Sequence, residues 1–133
     1  MSFTKLTRPA EGTIKKNAHC SLNAGNDPII PFIEGDGIGI DITPAMKHVV
    51  DSAVGKASDG EKKINWFELY TGEKALEVYG NDDWRPQDTL TAFQKYLVGI
   101  EGPLTTPVGG GYRYRKMTKS IFLLQHSPCT KIP

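Results

Sequence analysis

Apolar residues in this chain recur at two spacings, and the switches between them mark its elements. Residues 28–33 read Pro-Ile-Ile-Pro-Phe-Ile, a continuous apolar run between Asp27 and Glu34-Gly35, as expected for a buried strand that opens into a loop. Pro31 has no N–H to give a ladder, which limits that strand to a sheet edge or a strand end. Ile42, Ala45, Met46, Val49, Val50, Ala53, Val54 and Ala57 then fall three and four apart. They predict a helix over 41–57 with Asp41 or Thr43 as its cap, Pro44 in its first turn and Gly55 a blemish near its end. His48 falls inside this pattern and is given no chemical role.

A charged turn over 58–63 leads into alternation over 64–70, with Asn65, Phe67 and Leu69 on one face and Ile64, Trp66, Glu68 and Tyr70 on the other. Residues 72–79 form a short helical piece closed by Gly80, and Asn81-Asp82-Asp83 a polar turn. Pro86 starts another helix, with an apolar seam of Leu90, Phe93 and Leu97, and residues 96–100 a short strand. Residues 1–26 are polar and without sustained period, predicting an irregular arm or a short hairpin. Strand, helix, strand, helix, strand in this order predicts an α/β fold with parallel crossovers.

Length and composition add limits. The 133 residues suffice for one domain, which at this size buries about two thirds of its unfolded surface. A formal net charge of +1 argues against a nucleic-acid partner or an anionic membrane surface. Cys20 and Cys129 lie far apart with no metal-ligand spacing, so a disulfide between them is the lesser reading. The first twenty residues carry Lys5, Arg8, Lys15 and Lys16 but no apolar run for a signal peptide, and no stretch suits a membrane span. The expected location is the cytoplasm; Pro9 and Glu11 fit an organellar transit peptide poorly.

Two stretches carry candidate chemistry. In residues 101–113, Pro103 and Pro107 fix φ, Gly109, Gly110 and Gly111 let backbone N–H groups approach an anion, and Arg113 offers a planar donor for carboxylate or phosphate. The plain alternative is a surface turn, since Gly and Pro are the commonest loop residues. Gly35-Asp36-Gly37-Ile38-Gly39 follows a strand and precedes a helix, where a glycine loop can place a phosphate at a helix N-terminus. It lacks the G-x-G-x-x-G spacing of a dinucleotide fingerprint, because Ile40 stands at the final glycine's place. In a βαβ order both loops fall at carboxyl ends of strands, on one edge of the sheet.

The words GPLTTPVGGG, IPFIEGDGIGIDITPAM and WFELYTGEKALEVYG resemble the amino-terminal part of prokaryotic NADP-dependent isocitrate dehydrogenases, in the isocitrate/isopropylmalate dehydrogenase family. The resemblance runs from about Asp27 to Arg113. It implies part of that family's large domain, an incomplete sheet with flanking helices, in residues 27–113, after an arm over 1–26 and before a tail over 114–133. It implies oxidation of isocitrate by hydride transfer to NADP and loss of carbon dioxide, with Mg2+ or Mn2+ stabilising the enolate. Thr105 corresponds to the family's nicotinamide-side contact, with Leu104 and Thr106 as neighbours, and Ile38 lies near the nicotinamide. The metal ligands, the acid/base residues and most of the dimer surface of the family's homodimer fall beyond this chain, so no catalytic or metal-ligating residue is assigned within it.

Several positions depart from the family. Tyr114 stands where a serine is expected after the arginine and Lys116 where an asparagine is, and Glu101 replaces a common lysine. The tail carries Arg115, Lys116, Lys119 and Lys131 without an acid, and a reading frame lost near residue 114 is the expected cause. A catalytically silent remnant, or a ligand-binding or interaction module, is the alternative to an oxidoreductase; a 3-isopropylmalate dehydrogenase is a further one, disfavoured by the Thr-Thr-Pro-Val-Gly-Gly-Gly wording. An unpaired sheet edge and an uncovered apolar helix face are expected to leave the isolated chain marginal or prone to aggregate.

Overall fold

A computed structural model describes residues 3–12, 14–19, 21–80 and 83–105. Thr106, Gly109–Arg113, the tail, Cys20, Cys129 and the Asn81-Asp82 turn lie outside the described residues. The arm contains a small antiparallel hairpin, β1 (Lys15–Lys16) and β2 (Leu22–Asn23). Its turn is held by Asn17, whose side-chain carbonyl accepts from the backbone N–H of His19 at 3.1 Å and of Ser21 at 2.9 Å.

The main sheet is parallel, in the order β4–β3–β5: β3 (Ile29–Ile33) lies between β4 (Asn65–Leu69) and β5 (Ile100–Glu101). Helix α1 (Gly39–Ala57) connects β3 to β4, and α2 (Glu73–Tyr79) and α3 (Gln87–Tyr96) connect β4 to β5. The α/β fold with parallel crossovers is therefore as the pattern predicts.

Pro31 corrects the strand reading, because it sits inside the central strand, opposite Phe67. Pro28 accepts from Asn65 N and Ile33 accepts from Gly102 N, so even-numbered backbone groups of β3 face β4 and odd-numbered ones face β5. The missing N–H of Pro31 thus points toward β5, whose pairing begins only at Phe32. No ladder bond is lost.

The core lies on one face of the sheet, where Ile29, Ile33, Phe67 and Leu69 meet Ala92 and Tyr96 of α3 and Leu6 of the arm. Phe67 is fully buried, its ring centroid 5.6 Å from Phe3 and 5.5 Å from Tyr96. Such a side chain contributes about 1.5–3 kcal/mol by burial. The arm, unreadable by pattern, is thus a structural cover. Helix α3 also differs from expectation: Thr89, Ala92 and Tyr96 are its buried residues, Leu97 is 36% exposed, and Tyr96 belongs to the helix rather than to a strand. The helix stops because Leu97 turns left-handed at φ 66°, its N–H bonding to Phe93 O, so β5 starts only at Ile100.

Helix α1 crosses the opposite face, with Gly39 and Thr43 buried and several polar contacts to the sheet. Lys47 Nζ stands 4.3 Å over the Phe32 ring, Trp66 donates to Asp51 at 2.9 Å, and Thr43 donates to the carbonyl of Glu34 at 2.8 Å. Its N-cap is Ile38, with no side-chain cap, so neither Asp41 nor Thr43 caps it. The apolar stripe is split: Val49 is 65% exposed and Ile42 49%, while Met46, Val50 and Val54 are half-buried.

Two substitutions separate these faces. Phe67→Ala should cost about 3–5 kcal/mol in urea unfolding, and Val49→Lys should stay within about 0.5 kcal/mol of the parent while lowering self-association by light scattering. Equal destabilisation by both would contradict this location of the core.

Candidate functional site

The carboxyl ends of β3, β4 and β5 open on one edge, and three loops meet there around Asp36. Parallel strands joined by right-handed crossovers all end on the same side, which brings together segments as distant as residues 36, 73 and 105. Asp36 is 5% exposed. Its Oδ1 accepts from Glu73 N at 3.0 Å, and its Oδ2 accepts from Thr105 N at 2.9 Å and from Thr105 Oγ1 at 3.0 Å. Its own N–H donates to Pro103 O at 2.7 Å. A buried carboxylate without donors is costly, and these bonds satisfy both oxygens.

The first of these bonds also completes α2. That helix has Gly72 as N-cap and no side-chain cap of its own, so Asp36 supplies from another loop the oxygen a capping residue normally provides. Gly72 has to be glycine here. Its φ is +77°, and a Cβ would lie 2.5 Å from an Asp36 carboxylate oxygen. Gly35 plays the matching part toward β5: at φ +89° its added Cβ would stand 2.5 Å from Pro103 O, so the two loops touch backbone to backbone.

Beside this junction Lys74 binds two acids, Glu34 at 2.6 Å and Glu68. Burial opposes its charge, but the hydrogen bonds it donates to both carboxylates and their negative charges outweigh it and raise the lysine above its ordinary value. Tyr79 is also raised, by burial first and then by the charge of Asp88, to which it donates at 3.2 Å. Asp88 accepts in addition from Thr4 N at 2.7 Å, fixing the arm. On the far side of Glu34 a groove of about 350 Å³ runs under α1, lined by Phe32, Thr43, Lys47, His48 and Asp51 among others.

Among the expected site residues, Thr105 stands at the junction, bonded to Asp36 and 3.4 Å from Glu73 Oε1. Leu104 packs against the core cluster. Ile38 is 67% exposed at the start of α1. Thr106 lies outside the described residues. The sequence reading missed Asp36, the residue that unites the edge; a lone acid between two glycines after a strand was its only signal. Among the described residues no three His, Cys, Asp or Glu side chains stand together as metal ligands, and no helix is long and apolar enough to cross a membrane.

Comparison with known proteins places this edge in a family. The family model described as isocitrate/isopropylmalate dehydrogenase matches residues 29–128, past Tyr114 into the stretch read as a departing tail. The chain is 59% identical over 114 residues to isocitrate dehydrogenase [NADP] of Pseudomonas aeruginosa (strain UCBPP-PA14), covering 85% of this chain and 27% of the relative. It is 53% identical over 113 residues to isocitrate dehydrogenase [NADP] of Coxiella burnetii, covering 85% and 26%. The crystal structure of isocitrate dehydrogenase from Methylococcus capsulatus is similar at a TM-score of 0.50 and 35% identity, over 64% of this chain and 22% of that one. The chain spans about a quarter of the length of the curated relatives it matches.

Two outcomes follow from the junction. Gly72→Ala should lower stability by about 2 kcal/mol or more through strain and a displaced carboxylate, whereas Gly55→Ala, in a helix with open space around it, should add up to ~1 kcal/mol; thermal melting distinguishes them. Lys74 and Tyr79 are both raised, so each favours folding while protonated. Their contribution is complete below the unfolded values of about 10 and fades as pH rises through the higher folded ones. Tyr79→Phe should therefore flatten the loss of stability between about pH 9 and 11 in denaturant titrations; an unchanged slope would refute the assignment.

Proposed function

The chain belongs to the isocitrate/isopropylmalate dehydrogenase family, and we propose that it forms the cofactor-side edge of an enzyme that oxidises and decarboxylates isocitrate to 2-oxoglutarate and carbon dioxide with reduction of NADP, as in the tricarboxylic acid cycle. The observation that carries the reading is the meeting of three strand-end loops at Asp36 and Thr105, in a chain 59% identical to a relative named for NADP and isocitrate. Thr105, Leu104, Thr106 and Ile38 are the proposed cofactor contacts.

A nicotinamide cofactor suits the groups on this edge. Thr105 offers a neutral hydroxyl, which meets an amide or ribose without adding charge beside a ring whose charge changes on reduction. Leu104 is anchored in the core, so its loop cannot drift, and exposed Ile38 offers apolar surface across the edge. The cofactor supplies the hydride acceptor; these residues bind and orient. The Mg2+ or Mn2+ proposed for the decarboxylation finds no cluster of ligands among the described residues. A homodimer in the cytoplasm is proposed for the whole enzyme.

A second reading, a chain without turnover of its own, is favoured by the 27% of the relative's length that it spans. Capture from its native cell with an antibody to residues 27–113, followed by intact-mass measurement and an isocitrate assay with NADP, decides between them. Captured NADP reduction is the expected result. A 14.6 kDa species alone, without turnover, would establish the second reading.

A further inference from the structure

We propose that the exposed flank of α1 is a self-association surface, on which a second copy of this chain packs its own α1 antiparallel about a two-fold axis. Ile42, Ala45, Val49 and Ala53 follow one another at spacings of three and four, and all four are exposed. Met46, Val50 and Val54 beside them are half-buried, so the sheet holds the helix by one flank and leaves the other to solvent. The inference does not rest on what the strand-end edge binds.

The order of side-chain sizes selects the orientation. Large and small alternate along the flank as Ile42, Ala45, Val49 and Ala53. A parallel pair would set Ile42 against Ile42 and alanine against alanine, which leaves bulges beside gaps. In an antiparallel pair centred near residue 47, Ile42 meets the partner's Ala53 and Val49 meets the partner's Ala45, so each large side chain faces a small one. Charge selects the same orientation. Asp41 lies in the first turn of α1 and Lys56 in the last, and their separation places them within about 60° of one another around the helix axis. Neither side chain forms an ion pair among the described residues. The antiparallel register brings Asp41 of each copy within about 3 Å, along the axis, of the level of the partner's Lys56. A parallel pair would face acid with acid and lysine with lysine.

Four apolar side chains on a helix about 28 Å long bury less than a standard-sized interface, so the association is weak and reversible. Because α1 begins at the strand-end edge, the two edges lie at opposite ends of the paired helices, and neither blocks the other.

Sedimentation velocity of the full chain over a concentration series reaching about 1 mM, where so small an interface should be populated, tests this. The parent should pass from monomer to dimer and no further, since a two-fold contact closes on itself. Val49→Lys should weaken the dimer by about tenfold or more by placing a charge in the contact. Ala45→Ile should weaken it too, because the partner's Val49 leaves no space, whereas a merely sticky face would associate more strongly. Asp41→Lys and Lys56→Glu should each weaken it by about fivefold at low salt, and the double exchange should return it to within about twofold of the parent. Circular dichroism checks that these exposed substitutions leave the fold intact, and should a charge variant fail to fold, Val49→Lys and Ala45→Ile decide. A parent chain that stays monomeric throughout overturns the proposal, whether its own remaining residues or another partner covers the flank. So do growth beyond the dimer, unchanged association in Val49→Lys, stronger association in Ala45→Ile, and a double exchange that fails to recover.

Discussion

A carboxylate removed from water must find donors, and in this chain that requirement organises the edge of the sheet. Asp36 draws its donors from the start of α2 and from the loop after β5, so the three strand ends cannot move independently. The glycines at 35 and 72 are consequences of the same constraint, since each stands where a neighbouring group leaves no space for a side chain. Lys74 extends the arrangement, joining Glu34 at the end of β3 to Glu68 on β4 from the first turn of α2.

The sheet itself explains the division of labour between the helices. A parallel sheet needs cover on both faces. Helix α3 and the arm provide it on the Phe67 face with a close-packed aromatic cluster. Helix α1 covers the other face through a cation over Phe32 and an indole donor to Asp51, contacts that tolerate water, and leaves Ile42 and Val49 outside. The chain spans about a quarter of its relatives' length. Both β4 and β5 have a single partner among the described residues.

The sequence made the element order and the parallel class legible because both follow from local periodicity and connection length. It did not reveal which part of α1 turns inward, since Met46, Val50 and Val54 are half-buried while Ile42 and Val49 of the same stripe are exposed. Pro31 was read as an edge signal although a central strand accepts it wherever one neighbour starts late; pairing register is a tertiary property. Leu97 looked like the continuation of a helical seam, and only its left-handed backbone shows that the seam ends at Tyr96. Phe3 and Leu6 gave no pattern because an irregular cover segment with two anchors has no period. Asp36 stayed hidden for a different reason: its partners lie 37 and 69 residues away, and no spacing rule links them.

The candidate edge is nevertheless built from the chain's own residues. Among the described residues, the bonds to the Asp36 carboxylate come from Glu73 and Thr105, and Leu104 packs against the core cluster. Positioning and chemistry are therefore separable here. Thr105 gives one carboxylate both its N–H and its hydroxyl, and the cost of freeing them is the cost of leaving a buried acid short of donors. Metal chemistry makes the opposite demand, since it needs several acids converging on one point, and among the described residues the acids are instead consumed in pairs with Lys74 and with backbone N–H groups. An edge of this kind can orient a cofactor in advance of the groups that act on the substrate.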